Sequence, residues 1–226
     1  MIDIDPEYLR EGLIAFIILF VSVIVHEWGH AVAADKLGDD TPRAEGRVSL
    51  NPMVHIDLIG TIIVPIVNIF VFGNALPFIG WGRPVTTNPA NYKNRARDEV
   101  LIPLAGPMAN LLLALVAIVV GAFLVVPQPR CAELVREVVI MNVGLAVFNL
   151  VPIPPLDGAA MLRRAVGMSE ETFLMLSRWS WIFIIAAIRF RPLAEAIMIA
   201  LRVVIYPYLK LCVLISPEAA LRIFGP

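Results

Sequence analysis

The chain has 226 residues, of which 59% are hydrophobic and 16% charged, with a net charge of -1 and a mean hydropathy of +0.81. Soluble domains sit nearer 45–50% apolar and about 25% charged, so lipid is the main solvent here. No basic surface points to nucleic acid, and Cys131 and Cys212 do not make a disulfide framework.

Taken in chain order, the first segment begins with Asp3, Asp5, Glu7 and Glu11 against a single Arg10. A signal peptide opens with positive charge, so the apolar run after it reads as a retained membrane helix. That helix runs from about Leu13 to Leu37 and carries HEWGH at 26–30; Gly38, Asp39, Asp40 and Pro42 end it. Residues 41–57 alternate like short strands, with Asn51-Pro52 as a turn signal. Residues 58–73 are apolar but short and hold Gly60, Pro65 and Asn68. A polar stretch covers 74–99. Helices follow at about 100–126 and 134–151, the second leading into NLVPIPPLDG at 149–158, where the prolines force irregular backbone. Two more apolar stretches occupy about 171–190 and 193–215. The expected fold is an all-α polytopic membrane protein. It comprises a three-helix catalytic core, a re-entrant or short β-like segment and about two C-terminal helices. Residues 1–226 read as one membrane-embedded domain, with the catalytic core over about 13–167.

HEWGH is the H-E-x-x-H pattern. On a helix, residues four apart share a face, so His26 and His30 can hold one Zn²⁺. Glu27 lies about 100° around from His26 and suits a general base. Two histidines and a glutamate at membrane depth are costly unless they function. A catalytic zinc takes three protein ligands and keeps a fourth position open. Asp157, in the proline-rich break after an apolar helix, is the best third ligand; it can also serve as N-cap for the helix that follows. His55 is a second candidate ligand or, alternatively, a structural loop histidine.

HEWGH in the first membrane helix and NLVPIPPLDG more than a hundred residues later resemble the site-2 protease family, peptidase family M50. GRVSLNPMVHIDLIG at 46–60 and LAGPMANLLLAL at 104–115 are similar to its connecting motifs. The resemblance covers about 13–167 and is to the minimal, prokaryotic-type members without PDZ or CBS domains. It implies one Zn²⁺ per chain on His26, His30 and Asp157, with Glu27 as base. It implies a zinc metalloendopeptidase acting on transmembrane proteins or peptides within the lipid bilayer. Asn110 and Asn149 would hold substrate backbone or the oxyanion, with helix–helix hydrogen bonding as the alternative; His55 joins them as a candidate for substrate contact. A membrane metal-ion carrier is the competing reading, since intramembrane His and Asp also mark ion pathways.

The ligand set constrains topology. If 58–73 crossed the membrane fully, Asp157 would end on the face opposite the histidines. A re-entrant 58–73 brings it to their level. Arg43, Arg47, Arg83, Lys93, Arg95, Arg97, Arg163 and Arg164 then share one face, which the positive-inside rule makes cytoplasmic. The expected location is the cell membrane, multi-pass, with the site toward the cytoplasm.

Overall fold

The computed structural model describes residues 6–71, 80–125, 128, 131–179, 182 and 190–225. Three of its helices are long and apolar enough to cross a membrane: α1 (Pro6–Lys36), α4 (Arg95–Leu124) and α8 (Arg191–Ile215). The chain is an all-α membrane protein, and no strand forms among the described residues.

α1 and α4 run antiparallel in close contact. Close approach needs small residues where two backbones meet. Gly29 of α1 supplies one; a Cβ there would sit 2.8 Å from both the Ala105 carbonyl oxygen and Ala109 Cβ. α5 (Cys131–Asn149) returns antiparallel to α4, with Gly121 taking the Val135 side chain in the same manner. On the outside, Leu13, Ile17 and Val21 form an exposed stripe at four-residue spacing, as do Leu112, Val116 and Val120 on α4. These stripes face lipid. α8 and the short α9 (Pro217–Phe224) pack on α4 and α5 through Cys212, Ala219, Ala220 and Ile223, and Tyr208 donates to the Leu111 carbonyl at 3.0 Å. Of the apolar stretch expected at 171–190, α7 (Glu170–Ser177) is described; 180–181 and 183–189 lie outside the described residues.

The stretch 41–57 departs from expectation. It forms the single-turn helix α2 (Thr41–Ala44), bends and a 3₁₀ turn (Pro52–Val54) in place of short strands. Pro42 and Pro52 lack the N–H a ladder needs. Side chains satisfy the backbone instead. Asn51 accepts from the Met53 N–H, and the buried Arg47 guanidinium donates to the carbonyls of Val54, Arg83 and Pro84. Such local side-chain bonds compete with strand pairing.

Residues 58–70 are helical, a π turn (Leu58–Ile63) continuing into α3 (Val64–Phe70). Thirteen helical residues reach about 20 Å, short of the ~30 Å hydrocarbon thickness. α3 ends beside the start of α1, where Tyr8 donates to the Ile69 carbonyl. By Trp81 the chain is back where it left: the Trp81 N–H donates to Gly60 O at 3.1 Å, Thr61 Oγ1 donates to Trp81 O, and the Arg83 N–H donates to His55 O at 2.8 Å. Gly60 and Trp81 therefore lie side by side. Residues 72–79 of that excursion lie outside the described residues.

Candidate metal centre

Three elements meet at the site. α1 brings His26 and His30 to one face, one turn apart. α4 passes behind them, and Gly106 leaves room for both rings: a Cβ there would collide with His30 Nε2 and stand 2.7 Å from His26 Cε1. Pro103 and Pro107 remove two N–H donors from this part of α4 and loosen its bonding. From the far end of α5, the loop 150–156 turns back and α6 (Asp157–Ala165) starts at Asp157. Gly158 makes that turn possible, because any Cβ would strike the Leu150 carbonyl oxygen and lie 2.8 Å from that of Val151.

The arrangement brings the Asp157 carboxylate to the histidines. Oδ2 lies 3.2 Å from His26 Nε2, Oδ1 lies 3.4 Å from His30 Nε2, and the two Nε2 atoms are 3.1 Å apart. The alternative use of Asp157 as a cap is not taken. Leu156 holds the N-cap position, and no side chain caps the helix.

The protons can be placed from the partners. His30 Nδ1 faces the Ile102 carbonyl at 2.8 Å, which can only accept, so Nδ1 carries the hydrogen. His26 Nδ1 is 2.6 Å from Asn110 Oδ1. The Asn110 Nδ2 group donates to Ser22 O at 3.0 Å and Asn142 Oδ1 at 2.9 Å, so its oxygen must be the atom facing His26. In the neutral imidazoles both Nε2 atoms are therefore bare. In that state two imidazole lone pairs and a carboxylate converge on one point, and Asp157 Oδ2 is buried with no hydrogen bond of acceptable geometry despite its nearness to His26. A buried cluster of acceptors alone is strongly unfavourable; it calls for a cation.

Zinc fits this donor set. Bonds of about 2.1 Å in tetrahedral geometry separate donor atoms by roughly 3.3–3.4 Å, against the 3.1, 3.2 and 3.4 Å here. Two neutral imidazoles and a carboxylate are ordinary zinc ligands, each histidine fixed through its other ring nitrogen. Three donors leave a fourth position open. Among the described residues, His26, His30 and Asp157 are the one group of three such side chains close enough to hold a metal.

Glu27 follows His26 on α1 and is partly buried. Its Oε2 accepts from the Val85 N–H at 3.2 Å, which brings the non-helical run 80–88 alongside it. Gly82 lets that run pass closely: a Cβ would lie 2.9 Å from Glu27 Cγ.

The other candidates stand elsewhere. Asn110 is fully buried and hydrogen-bonded at both ends of its amide, so it makes the helix–helix bond and presents nothing to a substrate. His55 is also fully buried. Its Nε2 donates to Ser49 O at 2.7 Å, and it lies outside the donor cluster, holding its own loop. Asn149 is half-buried at the end of α5 and donates one N–H to Leu145 O. Sequence reasoning did not find Asn142, Arg47 or Asp39. Each is buried and bonded to partners distant in sequence or to backbone carbonyls, contacts with no periodic or motif signal.

A zinc-type donor triad beside a glutamate on the same helix defines a metallopeptidase site, here on a helix long and apolar enough to cross a membrane. Peptidase family M50 matches residues 14–130 and 127–187, and the chain belongs to that family of zinc metalloproteases. It is 35% identical over 162 residues to YwhC of Bacillus subtilis (strain 168), named provisionally as a zinc metalloprotease; the match covers 66% of this chain and 68% of that one. Rip2 of Mycolicibacterium smegmatis, named in the same provisional way, is 28% identical over 171 residues, 74% of this chain and 62% of its own. The zinc metalloprotease MJ0392 of Methanocaldococcus jannaschii is 27% identical over 150 residues, 66% of this chain but 33% of its own. This chain thus spans about two thirds of the first two relatives and a third of the last. No solved structure matches.

Proposed function

We propose that this chain is an intramembrane endopeptidase that hydrolyses peptide bonds in the transmembrane segments of other membrane proteins, in the manner of regulated intramembrane proteolysis. The observation that carries the reading is the convergence of two bare Nε2 atoms and the Asp157 carboxylate at membrane depth, with Glu27 on the next residue of α1. His26, His30 and Asp157 hold the zinc; when bound, it polarises the scissile carbonyl and makes water acidic enough to attack near neutral pH. Glu27 takes the proton from that water. Its Oε2 is steadied by the Val85 N–H, and its second oxygen is left to carry the proton. Asn149 lies at the mouth of the 150–156 loop and contacts the substrate.

A transmembrane substrate must unwind before its carbonyls are accessible. Residues 41–57, which form no strand, offer no edge to catch it. The non-helical run 80–88, in contact with Glu27 through Val85, is better placed to pair with the unwound backbone. Residues 1–226 form one membrane-embedded domain in the cell membrane. The face that gathers Arg43, Lys93, Arg95, Arg97, Arg163 and Arg164 is cytoplasmic, and the site opens toward it. A carrier would need further polar stations across the membrane; the base beside one compact donor set suits hydrolysis.

The test is zinc content by elemental analysis, together with cleavage of a tagged transmembrane substrate in proteoliposomes, for wild type and Asp157→Ala. One zinc per chain and cleavage, both lost in the variant, are expected. Zinc retained without Asp157 would separate the two motifs and overturn the site. Zinc bound and transported across the bilayer without cleavage would favour the carrier.

A further inference from the structure

Behind the donor cluster, a line of amides crosses from α1 through α4 to α5. The His26 Nδ1–H donates to Asn110 Oδ1 at 2.6 Å, Asn110 Nδ2 donates to Asn142 Oδ1 at 2.9 Å, and Asn142 Nδ2 donates to Val138 O at 2.8 Å. Asn110 and Asn142 are fully buried. An asparagine amide has two faces of opposite polarity, and nothing in Asn110 itself decides which one His26 meets. The decision is made by what holds the other end. Ser22 O takes one hydrogen of Nδ2. Asn142 takes the second, and its own orientation is fixed because the Val138 carbonyl on the same helix can only accept.

We infer that Asn142 is a positioning residue for zinc: through Asn110 it locks His26 in the Nδ1–H tautomer and so keeps the Nε2 lone pair aimed at the metal. The inference rests on the zinc-site reading above. Without an acceptor at 142, the Asn110 amide loses half of what fixes it and can turn its Nδ2 toward His26. His26 would then take the Nε2–H tautomer, whose hydrogen occupies the place of the metal. Outer partners of metal-bound histidines commonly change metal affinity by about 10- to 100-fold.

The experiment uses the full chain in detergent, with zinc affinity from chelator competition and the ¹⁵N shifts of His26 in zinc-free protein. Wild type and His26→Ala establish whether zinc binds at this site at all, which tests the parent reading alone. Asn142→Leu keeps the volume and removes the acceptor; Asn142→Asp, held as the neutral acid by burial, keeps an acceptor oxygen toward Asn110 while its O–H replaces Nδ2 as donor to Val138 O. Expected are a 10- to 100-fold weaker affinity for Asn142→Leu with His26 shifted toward the Nε2–H form, and near-wild-type affinity and tautomer for Asn142→Asp. Wild-type zinc affinity and an unchanged His26 signal in Asn142→Leu would overturn the inference. So would equal losses in both variants with the tautomer unmoved, which is the mark of a packing role. If Asn142→Leu does not fold, the His26 tautomer in Asn142→Asp decides: retained, it supports the relay; switched, it refutes it.

Discussion

Behind the donor cluster, toward α5, the polar contacts run through uncharged amides and backbone carbonyls at membrane depth: His26 to Asn110 to Asn142, and His30 to Ile102. In front of it, between residues 39 and 91, they run through a buried carboxylate and a buried guanidinium that bind mostly backbone. The difference follows from solvent. In hydrocarbon an unpaired charge is costly, so the inner network is neutral and every hydrogen has one place to go. At the rim, charge can be paired and partly hydrated, and a single Arg47 or Asp39 gathers three or four bonds from loops with no ladder of their own. The inner network sets proton positions, hence metal binding. The outer one sets where the run 80–88 lies, hence what happens next to Glu27. Zinc content and cleavage therefore separate the two.

Glu27 joins them, being on the metal helix but bonded to the outer loop, and its loss should have the largest effect. Glu27→Gln keeps the shape and removes the base. Cleavage should fall by about 10²–10⁴-fold, the usual worth of a general base, with zinc still at one per chain. A variant that cleaves at the wild-type rate would show that Glu27 is not the base.

The next largest effect belongs to the inner side. In Gly106→Ala the added methyl meets His30 Nε2 and His26 Cε1, so the rings must turn and the donors spread. Zinc affinity should drop by roughly 100-fold, the upper range for disturbing a metal's support. α4 itself should stay helical, since alanine favours helix over glycine by about 1 kcal/mol. Isothermal titration beside circular dichroism checks both; tight zinc in this variant would show that the close fit behind the rings is not what places them.

Much of the inner side could be read from the sequence. HEWGH places two ligands by helical period alone, and the proline-rich LDG loop marks Asp157 because irregular backbone at membrane depth needs a reason. The need for Asp157 to reach the histidines also suggested a re-entrant path for 58–73, of which the helical residues 58–70 are described. What the sequence could not show is burial and direction. Asn110 and His55 looked available for substrate, yet both are closed off, because a polar residue in an apolar run reads the same whether it faces a cleft or a neighbouring helix. The strands expected over 43–56 failed for a related reason: alternation was visible, but not that Arg47 would take the Val54 carbonyl from across the loop.

Arg47 tests the outer side directly. Arg47→Gln releases the carbonyls of Val54, Arg83 and Pro84, the last directly before Val85, the residue that holds Glu27. Zinc content should be unchanged. Cleavage should fall roughly 10- to 100-fold, as expected when a catalytic group is misplaced by an ångström or so. Loss of zinc instead would mean the two networks are not separable.

The smallest effect is one of stability at the far edge of the outer network. Asp39 accepts from Thr41 N and Oγ1, from Asn91 Nδ2, and from the Asn88 N–H at 2.7 Å, tying the end of α1 to the turn before α4. Burial alone would raise its pKa, but these bonds outweigh it and hold the carboxyl below its ordinary value. A group whose folded pKa is depressed stabilises the protein above its unfolded value, near 3.9. That contribution is lost as pH falls through the lower folded value. Asp39→Asn should therefore cost about 1–3 kcal/mol at pH 7, the range for a buried donor left unpaired. In zinc-free protein its thermal midpoint should change less than that of wild type as the pH drops below about 4, because the group whose protonation weakens the wild type is already gone. Parallel acid limbs in the two proteins would mean that the charge on Asp39 does not hold this corner, and that its oxygens act only as neutral acceptors.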